Sequence, residues 1–224
     1  VTTVSLSRGA LRLAEQNVVV KRLTAIEDIG SIEILCSDKT GTLTENALNV
    51  TGLSPGAHPD LLHYASLTVA ETREKTEPFD IAILEAARQR HITQNCQSQL
   101  LAEIPFDPKR RWNAVLVREP EQTVMIVRGA PEEIMRFCPS LAESDPHALA
   151  TWLSERGRAG ERTIAIARQV LPPDTVSIPP EDEQTLEFLG AIAFTDPIKP
   201  SAYRALEKAK QLGISIKNIT GDSP

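Results

Sequence analysis

Apolar positions along the chain follow two different spacings, one typical of helices and one typical of strands. Residues 78–90 open with proline and then repeat apolar side chains at helical spacing, which predicts a helix with Pro78 in its first turn. Residues 113–118 and 123–127 are short apolar runs separated by the polar residues 119–122, which predicts an antiparallel hairpin. The middle of the chain therefore combines helices with hairpin-connected strands.

The two ends of the chain show a different arrangement, in which single strands alternate with helices. Residues 32–36 are an apolar strand that stops just before Asp38, and a turn-rich loop follows. Near the other end, a strand over 188–194, a helix over 200–212 and a strand over 214–219 predict a right-handed parallel crossover. We therefore predict an α/β fold in which a Rossmann-like domain, present in two pieces, is interrupted by an α+β domain with an antiparallel sheet.

Composition and charge exclude several classes of protein. A hydrophobic content of 41% and a charged content of 24% are ordinary for a globular chain of 224 residues. The net charge of -6 argues against a nucleic-acid partner, which normally needs a basic face. No stretch approaches the roughly 18 consecutive apolar residues of a membrane helix. Because the chain begins with Val1 and stops just after Asp222, we expect it to be part of a longer polypeptide.

A carboxylate placed directly after a strand carries the most information about chemistry. In doubly wound sheets, reactive groups gather at the carboxyl ends of strands, where Asp38 is expected. A carboxylate can attack a phosphoryl group and carry it as an acyl phosphate. Lys39 adds positive charge, and Gly41 lets backbone amides face the phosphate oxygens. Residues 38–44, Asp-Lys-Thr-Gly-Thr-Leu-Thr, resemble the phosphorylation signature of the P-type ATPases, which implies a haloacid-dehalogenase-like phosphorylation domain.

The residue two positions after Asp38 separates this resemblance from a related one. Phosphatases of the haloacid-dehalogenase class have a second Asp there, which acts as a general acid and base and speeds hydrolysis. This chain has Thr40, which cannot do so at neutral pH and favours a phosphoenzyme that persists. A phosphatase of that class with a large cap domain is the alternative. A regulatory nucleotide-binding module without catalysis is a third possibility.

Segments further along resemble the nucleotide-binding part of the same family, in the same order. The resemblance implies that Asp80 makes an acidic contact, that Phe106 stacks on adenine, and that Arg111 lies beside the nucleotide. Arg128 and Gly129 stand in Arg-Gly-Ala-Pro-Glu, where the family has Lys-Gly-Ala-Pro-Glu. The planar guanidinium of Arg128 thus replaces a compact ammonium at a nucleotide contact.

The resemblance continues into the last third of the chain. Arg162 matches an arginine that reaches the nucleotide phosphates, and Asp196 matches a hinge position. Thr220 and Asp222 match a loop that helps to hold phosphate and magnesium. These residues complete the set that the family would use to bind ATP and to transfer its terminal phosphoryl group.

The resemblance also implies a domain organisation. Residues 1–46 would be the first segment of the phosphorylation domain, residues 47–190 the nucleotide-binding domain, and residues 191–224 a truncated second segment. The implied cofactors are ATP and Mg²⁺, with the ion held against Asp38 and the backbone carbonyl of Thr40.

The implied partners lie outside this chain. They are an actuator domain of the same polypeptide and the membrane helices that carry the transported cation, so the chain would lie on the cytoplasmic face of a membrane, expected to be a bacterial plasma membrane. The segments around the motifs look most like the magnesium- and proton-transporting branch. We therefore expect magnesium import, with proton export as the next choice.

Overall fold

The computed structural model divides the chain into two units. Unit 1 comprises Val1–Glu45 and Ile198–Pro224, and unit 2 comprises Asn46–Pro197. The structure describes residues 2–69, 77–92, 98–139, 146–180 and 185–219. Within these residues no helix combines the length and apolarity that crossing a membrane requires.

Helices and strands alternate irregularly along the chain. The helices are α1 (Thr2–Ala14), α2 (Thr24–Ile29), α3 (Leu61–Leu67), α4 (Pro78–Gln89), α5 (Pro131–Ile134), α6 (Pro146–Arg158) and α7 (Pro200–Gln211). The strands are β1 (Ile34–Asp38), β2 (Asn49–Leu53), β3 (Gln99–Asp107), β4 (Trp112–Arg118), β5 (Thr123–Gly129), β6 (Arg162–Leu171), β7 (Glu187–Thr195) and β8 (Ser215–Ile219). The predicted helix over 78–90 and the predicted hairpin, now α4 and β4–β5, are confirmed.

Unit 2 is built on an antiparallel sheet whose six strands follow the order β2-β7-β6-β5-β4-β3. Both faces of its centre are covered. On one face, Val115 and Ile126 pack with residues of α3 and α4, and on the other, Leu116 and Met125 pack with Ile134 of α5. Burial on both faces explains why β4 and β5 are nearly continuous apolar runs rather than alternating ones. The predicted α+β domain with an antiparallel sheet is therefore present.

Unit 1 contains a parallel pair of strands. β1 pairs with β8 in register from Ile34 opposite Ser215 to Asp38 opposite Ile219. Helix α7 leads into β8, as the sequence predicts. Because β1 and β8 come from opposite ends of the chain, unit 1 is assembled from two separate segments.

The predicted crossover at the end of the chain is wrong in its pairing. The strand over 188–194 was expected to pair in parallel with the strand after α7. Instead, β7 pairs antiparallel with β2 and β6 in unit 2, while β8 pairs with β1. The local pattern strand-helix-strand is the same in both arrangements, and only contacts between distant residues decide between them.

The second domain boundary also differs from the one expected at residues 190 and 191. That position falls inside β7, and the division lies instead after Pro197. Ile192 and Phe194 of β7 are fully buried in the core beneath α3 and α4. The strand therefore completes the sheet of unit 2, and the chain leaves this unit only after the strand has ended.

Candidate functional site

The apolar face of the unit 2 sheet that supports α3 and α4 becomes polar at one end. On β4 the alternation that places Val115 in the core brings Asn113 to the same face, and on β5 Ile126 is followed on this face by Arg128. Asn113 and Arg128 lie directly opposite each other in the ladder, and both are buried. Polar side chains at core-facing positions need hydrogen-bond partners or a ligand.

A cavity of about 260 Å³ opens at this polar end of the sheet. Its walls come from the start of α4, from β3, and from the adjoining ends of β4, β5 and β6. The lining residues are Glu77, Phe79, Phe106, Arg111, Asn113, Arg128, Gly129, Ala130, Thr163 and Ile164. The structure thus brings four of the predicted nucleotide contacts, Phe106, Arg111, Arg128 and Gly129, together around one cavity.

Phe106 presents an aromatic surface at this cavity. A phenylalanine near a strand end is more often a core residue, but the side chain of Phe106 is 50% exposed. An accessible ring beside a cavity can stack on a flat heteroaromatic group. Phe79, in the first turn of α4, lines the same cavity and packs edge to face on Phe194 with ring centroids 5.0 Å apart. The cavity therefore combines an accessible ring with a wall anchored in the core.

Arg128 and Asp80 form a buried ion pair behind the cavity wall. Arg128 Nη1 donates to Asp80 Oδ1 over 2.6 Å, and Arg128 Nε donates to Asn113 Oδ1 over 3.3 Å. The side chains of Arg128 and Asp80 are only 8% and 3% exposed. Asp80 does not line the cavity. Its carboxylate neutralises the guanidinium of Arg128, which does line it. The charge of Arg128 is therefore largely satisfied by the protein itself.

Arg111 is held at the cavity by a close approach of two backbone segments. Its backbone adopts a left-handed conformation, with φ of 62°, and its carbonyl accepts a hydrogen bond from the amide of Ala130 over 3.0 Å. A Cβ at Gly129 would lie 2.5 Å from the Arg111 carbonyl oxygen and 2.5 Å from Trp112 Cβ. Only glycine fits here, because the conflict is with backbone as well as side chain. The exposed Arg111 guanidinium meets Glu132 over 2.5 Å.

Two further predicted residues lie in unit 2 but do not line the cavity. Arg162 begins β6, next to the lining residues Thr163 and Ile164. It shares the sheet face of Ile164, the face on which Arg128 lies. Asp196 follows β7 and accepts a hydrogen bond from the backbone amide of Ala47 over 3.3 Å. This hydrogen bond joins the segment by which the chain enters unit 2 to the segment by which it leaves.

In unit 1, Asp38 is the last residue of β1, and its side chain is exposed. A wide turn over Lys39–Leu43 follows, and Gly41 has a positive φ of 76°. The hydroxyl of Thr44 accepts from the Gly41 amide over 3.1 Å and donates to the Lys39 carbonyl over 3.2 Å. The two hydrogen bonds of Thr44 thus stabilise the turn that contains Lys39 and Thr40.

The second segment of unit 1 also holds this turn. Lys199 Nζ donates to the Gly41 carbonyl over 2.6 Å, and the Lys199 amide donates to the Leu43 carbonyl over 2.9 Å. The last described residue of β8, Ile219, lies opposite Asp38. Thr220 and Asp222, which the sequence assigns to the same site, lie outside the described residues.

Several residues that the structure brings to these sites were not predicted from the sequence, among them Glu77, Asn113 and Lys199. The signal for Asn113 was present in the sequence, because an asparagine occupies a core-facing position of an otherwise apolar strand. Lys199 carries no comparable signal in the sequence. Its contact with Gly41 joins residues that are 158 positions apart, which no local pattern reveals.

Comparison with known proteins gives a consistent result. Residues 27–201 match a family model described as P-type ATPase, cytoplasmic domain N. The chain is 33% identical over its whole length to the magnesium-transporting ATPase, P-type 1, of Escherichia coli K12, and it covers 26% of that protein. It is 35% identical to the protein of the same name from Salmonella typhimurium LT2, again covering 26%. It is 30% identical to a plasma membrane ATPase of Neurospora crassa and covers 24% of it. The chain thus spans about a quarter of these relatives.

Proposed function

Because the chain belongs to the P-type ATPase family, we propose that unit 2 binds ATP and that Asp38 of unit 1 accepts the terminal phosphoryl group. The phosphoenzyme would drive cation transport by the complete protein. One observation carries the proposal: a cavity that combines the half-exposed ring of Phe106 with the exposed guanidinium of Arg111. A ring and a cation at one cavity suit a base attached to phosphates.

The cavity suggests how ATP is held. Adenine stacks on Phe106, and Arg111, whose side chain is 47% exposed, turns from Glu132 to the phosphates. An exposed ion pair of this kind contributes little, so exchanging Glu132 for a phosphate costs little. Arg128 forms the inner wall instead of a phosphate contact, because Asp80 already neutralises it. Arg162 supplies a further cation for the phosphates beyond the end of β5.

The chemistry at Asp38 is an in-line phosphoryl transfer. A carboxylate oxygen of Asp38 forms a bond to the γ-phosphorus, and the bond from that phosphorus to the β–γ bridging oxygen breaks. ADP leaves with the electron pair, and Asp38 carries an acyl phosphate. Lys39 balances part of the negative charge. Thr40 cannot activate water as a carboxylate would, so the acyl phosphate persists until other parts of the complete protein act on it.

Magnesium fits the donor atoms at the end of β1. Mg²⁺ prefers oxygen ligands, and the exposed Asp38 carboxylate and the Thr40 carbonyl supply two of them. Thr40 has an extended backbone, with φ of -78° and ψ of 124°, within the turn. When bound, the ion would neutralise charge on the transferred phosphoryl group. Asp222, which lies outside the described residues, is the further residue that the sequence assigns to this loop.

The proposals for the transported ion and for the remaining domains of the complete protein are based on the similar proteins. Two of them are magnesium-transporting ATPases by name. We propose magnesium as the transported cation and import as the direction, with proton export as the second candidate. The same proposal includes an actuator domain, membrane helices that carry the cation, and a position on the cytoplasmic face of the bacterial plasma membrane.

A calorimetric titration tests the nucleotide site. ATP is titrated into the 224-residue chain and into Phe106→Ala, with Tyr203→Ala as the matched control, because Tyr203 is an aromatic of unit 1 that is 60% exposed. Loss of one stacked ring weakens binding by about tenfold or more, whereas the control binds as the unchanged chain does. Equal affinity in all three proteins would refute the proposed site.

Radiolabelling of the complete polypeptide tests the acceptor. With γ-labelled ATP, Asp38→Asn is expected to abolish acid-stable labelling of the protein. Asp28→Asn, an exposed carboxylate of α2, leaves labelling intact. Persistent labelling of the Asp38 variant would show that another residue carries the phosphoryl group.

A further inference from the structure

Asn113 is a buried polar residue in the wall of the proposed nucleotide cavity, and the family motifs do not single it out. We propose that Asn113 reads the base: its Nδ2 amide donates a hydrogen bond to a ring nitrogen of the purine. Arg128 and Asp80 then act as positioning residues that fix the orientation of this amide. The inference rests on the proposed binding of ATP by unit 2 and adds a specificity-determining contact to it.

The orientation of the Asn113 carboxamide follows from its neighbour. Arg128 Nε lies 3.3 Å from Asn113 Oδ1. A guanidinium has only donors, so the atom that faces it must be the carboxamide oxygen. The opposite orientation would place two donors against each other. Arg128 is itself fixed, because Asp80 holds its Nη1 over 2.6 Å within the core. The chain Asp80–Arg128–Asn113 therefore leaves the amide nitrogen on the other side of the carboxamide.

That nitrogen is available to a ligand. None of the described residues accepts a hydrogen bond from Asn113 Nδ2. The atom is also absent from the fully buried polar atoms that lack a partner, so it is not completely enclosed by protein. Asn113 as a residue is 2% exposed, and it lines the cavity. The small exposed part of the side chain is therefore an amide donor that opens onto the cavity. Such a donor, which no described protein group satisfies, is left to water or to a ligand in the cavity.

The surroundings favour a base over a phosphate as the acceptor. Phe79, Ile164 and Phe106 line the same cavity and give it apolar walls. The nearest cation, Arg128, is neutralised by Asp80, so this inner part of the cavity offers little net charge to a phosphate. A purine ring brings flat apolar faces together with neutral nitrogen acceptors, and a single amide donor matches one of these acceptors.

Nucleotide analogues test the contact directly. The 224-residue chain is titrated with ATP and with its 1-deaza, 3-deaza and 7-deaza analogues, each of which replaces one ring nitrogen by a C–H group of the same shape. We expect one analogue to bind about tenfold more weakly than ATP, the effect of one lost hydrogen bond to a buried donor. Asn113→Leu is expected to bind ATP and that analogue equally. If the leucine variant does not fold, Asn113→Asp takes its place in the experiment. The aspartate keeps the shape of the side chain and removes the donor, so the same result is expected.

The positioning role has its own readout. Arg128→Lys keeps a positive charge against Asp80 but removes the Nε donor, so the carboxamide is free to turn and the preference for ATP over the analogue shrinks. The matched control is Thr123→Val, which removes a fully buried hydroxyl at the far end of β5 and is expected to leave that preference intact. An Arg128→Lys variant with the full preference would overturn the positioning role.

Failure of the inference and failure of the proposed function are distinguishable. If the unchanged chain binds ATP and all three analogues equally, or if the preference survives in Asn113→Leu, Asn113 does not read the base although ATP still binds. If the unchanged chain does not bind ATP, both the inference and the nucleotide site are wrong. Circular dichroism of each variant shows that it has the fold of the unchanged chain.

Discussion

At Gly129, β5 passes so close to the bend at Arg111 and Trp112 that no side chain has room. The 2.5 Å separation from the Arg111 carbonyl would be a conflict with backbone, which cannot turn aside as a long side chain can. The left-handed conformation of Arg111 brings the bend to this position. A single glycine thus fixes where one proposed phosphate ligand stands relative to the sheet.

Substitution of Gly129 by alanine is expected to harm both stability and binding. The added Cβ forces β5 and the Arg111 bend apart, which should lower the free energy of unfolding by about 2 kcal/mol and weaken ATP binding. Gly157→Ala in α6 is the control, because a Cβ there meets nothing within 4 Å and alanine favours the helix. Urea unfolding measures the stability of the two variants. A Gly129→Ala variant as stable as the unchanged chain would contradict the geometry.

Cys138 shows a second effect of burial, on proton binding. Burial raises the pKa of its thiol from 9.0 to about 12. Above pH 9.0 the unfolded chain loses this proton while the folded chain keeps it. The stability that depends on the neutral thiol is therefore fully present below that pH and is lost as the pH rises towards about 12.

The corresponding measurement is urea unfolding at about pH 8 and about pH 10. The unchanged chain is expected to lose more stability between these conditions than Cys138→Ala, which lacks the titrating group. Equal losses would mean that the thiol is not protected in the fold. Alkylation gives an independent check, since exposed Cys36 should react in the folded chain and Cys138 only after unfolding.

At the scale of elements, the ion pair of Asp80 and Arg128 joins the first turn of α4 to the end of β5. Pro78 starts this helix, and its apolar face, which includes Ile83 and Ala86, packs on the sheet. The position of the helix start decides where Glu77 and Phe79 border the cavity. A buried pair of this kind is costly to break from one side only, because it leaves an uncompensated charge in the core.

Asp80→Asn is therefore expected to lower the free energy of unfolding by about 3 kcal/mol. Glu85→Gln on the same helix is the matched control: its exposed pair with Arg88 should contribute less than about 0.5 kcal/mol. Urea unfolding at low and high salt separates the two, since salt screens only the exposed pair appreciably. Equal, small effects of both substitutions would show that the Asp80 pair does not stabilise α4 on the sheet.

At the scale of the whole molecule, the chain consists of two units, for which we propose separate tasks. Unit 2 contains the proposed nucleotide cavity, and unit 1 contains Asp38 at the end of its parallel strand pair. A ligand stabilises only the state to which it binds, so a nucleotide should act first on unit 2.

Hydrogen exchange with a non-hydrolysable ATP analogue measures this. At a ligand concentration about a hundred times the Kd, linkage provides about 2.7 kcal/mol of stabilisation. We expect slower exchange in β4, β5 and the start of α4, and unchanged exchange in α7 of unit 1. Protection confined to α7 would contradict the placement of the nucleotide in unit 2.

Much of the local structure was predictable. Proline at the start of α4 and the apolar runs of β4 and β5 are local signals, and both predictions are confirmed. Strands β2 and β3 were not predicted, because bulges in their ladders interrupt the regular alternation of inward and outward side chains. The partner of β7 was predicted wrongly, since the sequence shows that a strand exists but not which neighbour completes its hydrogen bonds.

The sequence by itself determined the family, predicted the chemistry of Asp38 and named four of the residues that line the cavity, because a string such as residues 38–44 is contiguous and can be recognised without the fold. Tertiary structure alone decided that Asp80 neutralises Arg128 and that Asn113 opens onto the cavity. It also decided that β7 belongs to unit 2. These facts depend on burial and on contacts between residues far apart in the chain, and such contacts form only when the chain has folded.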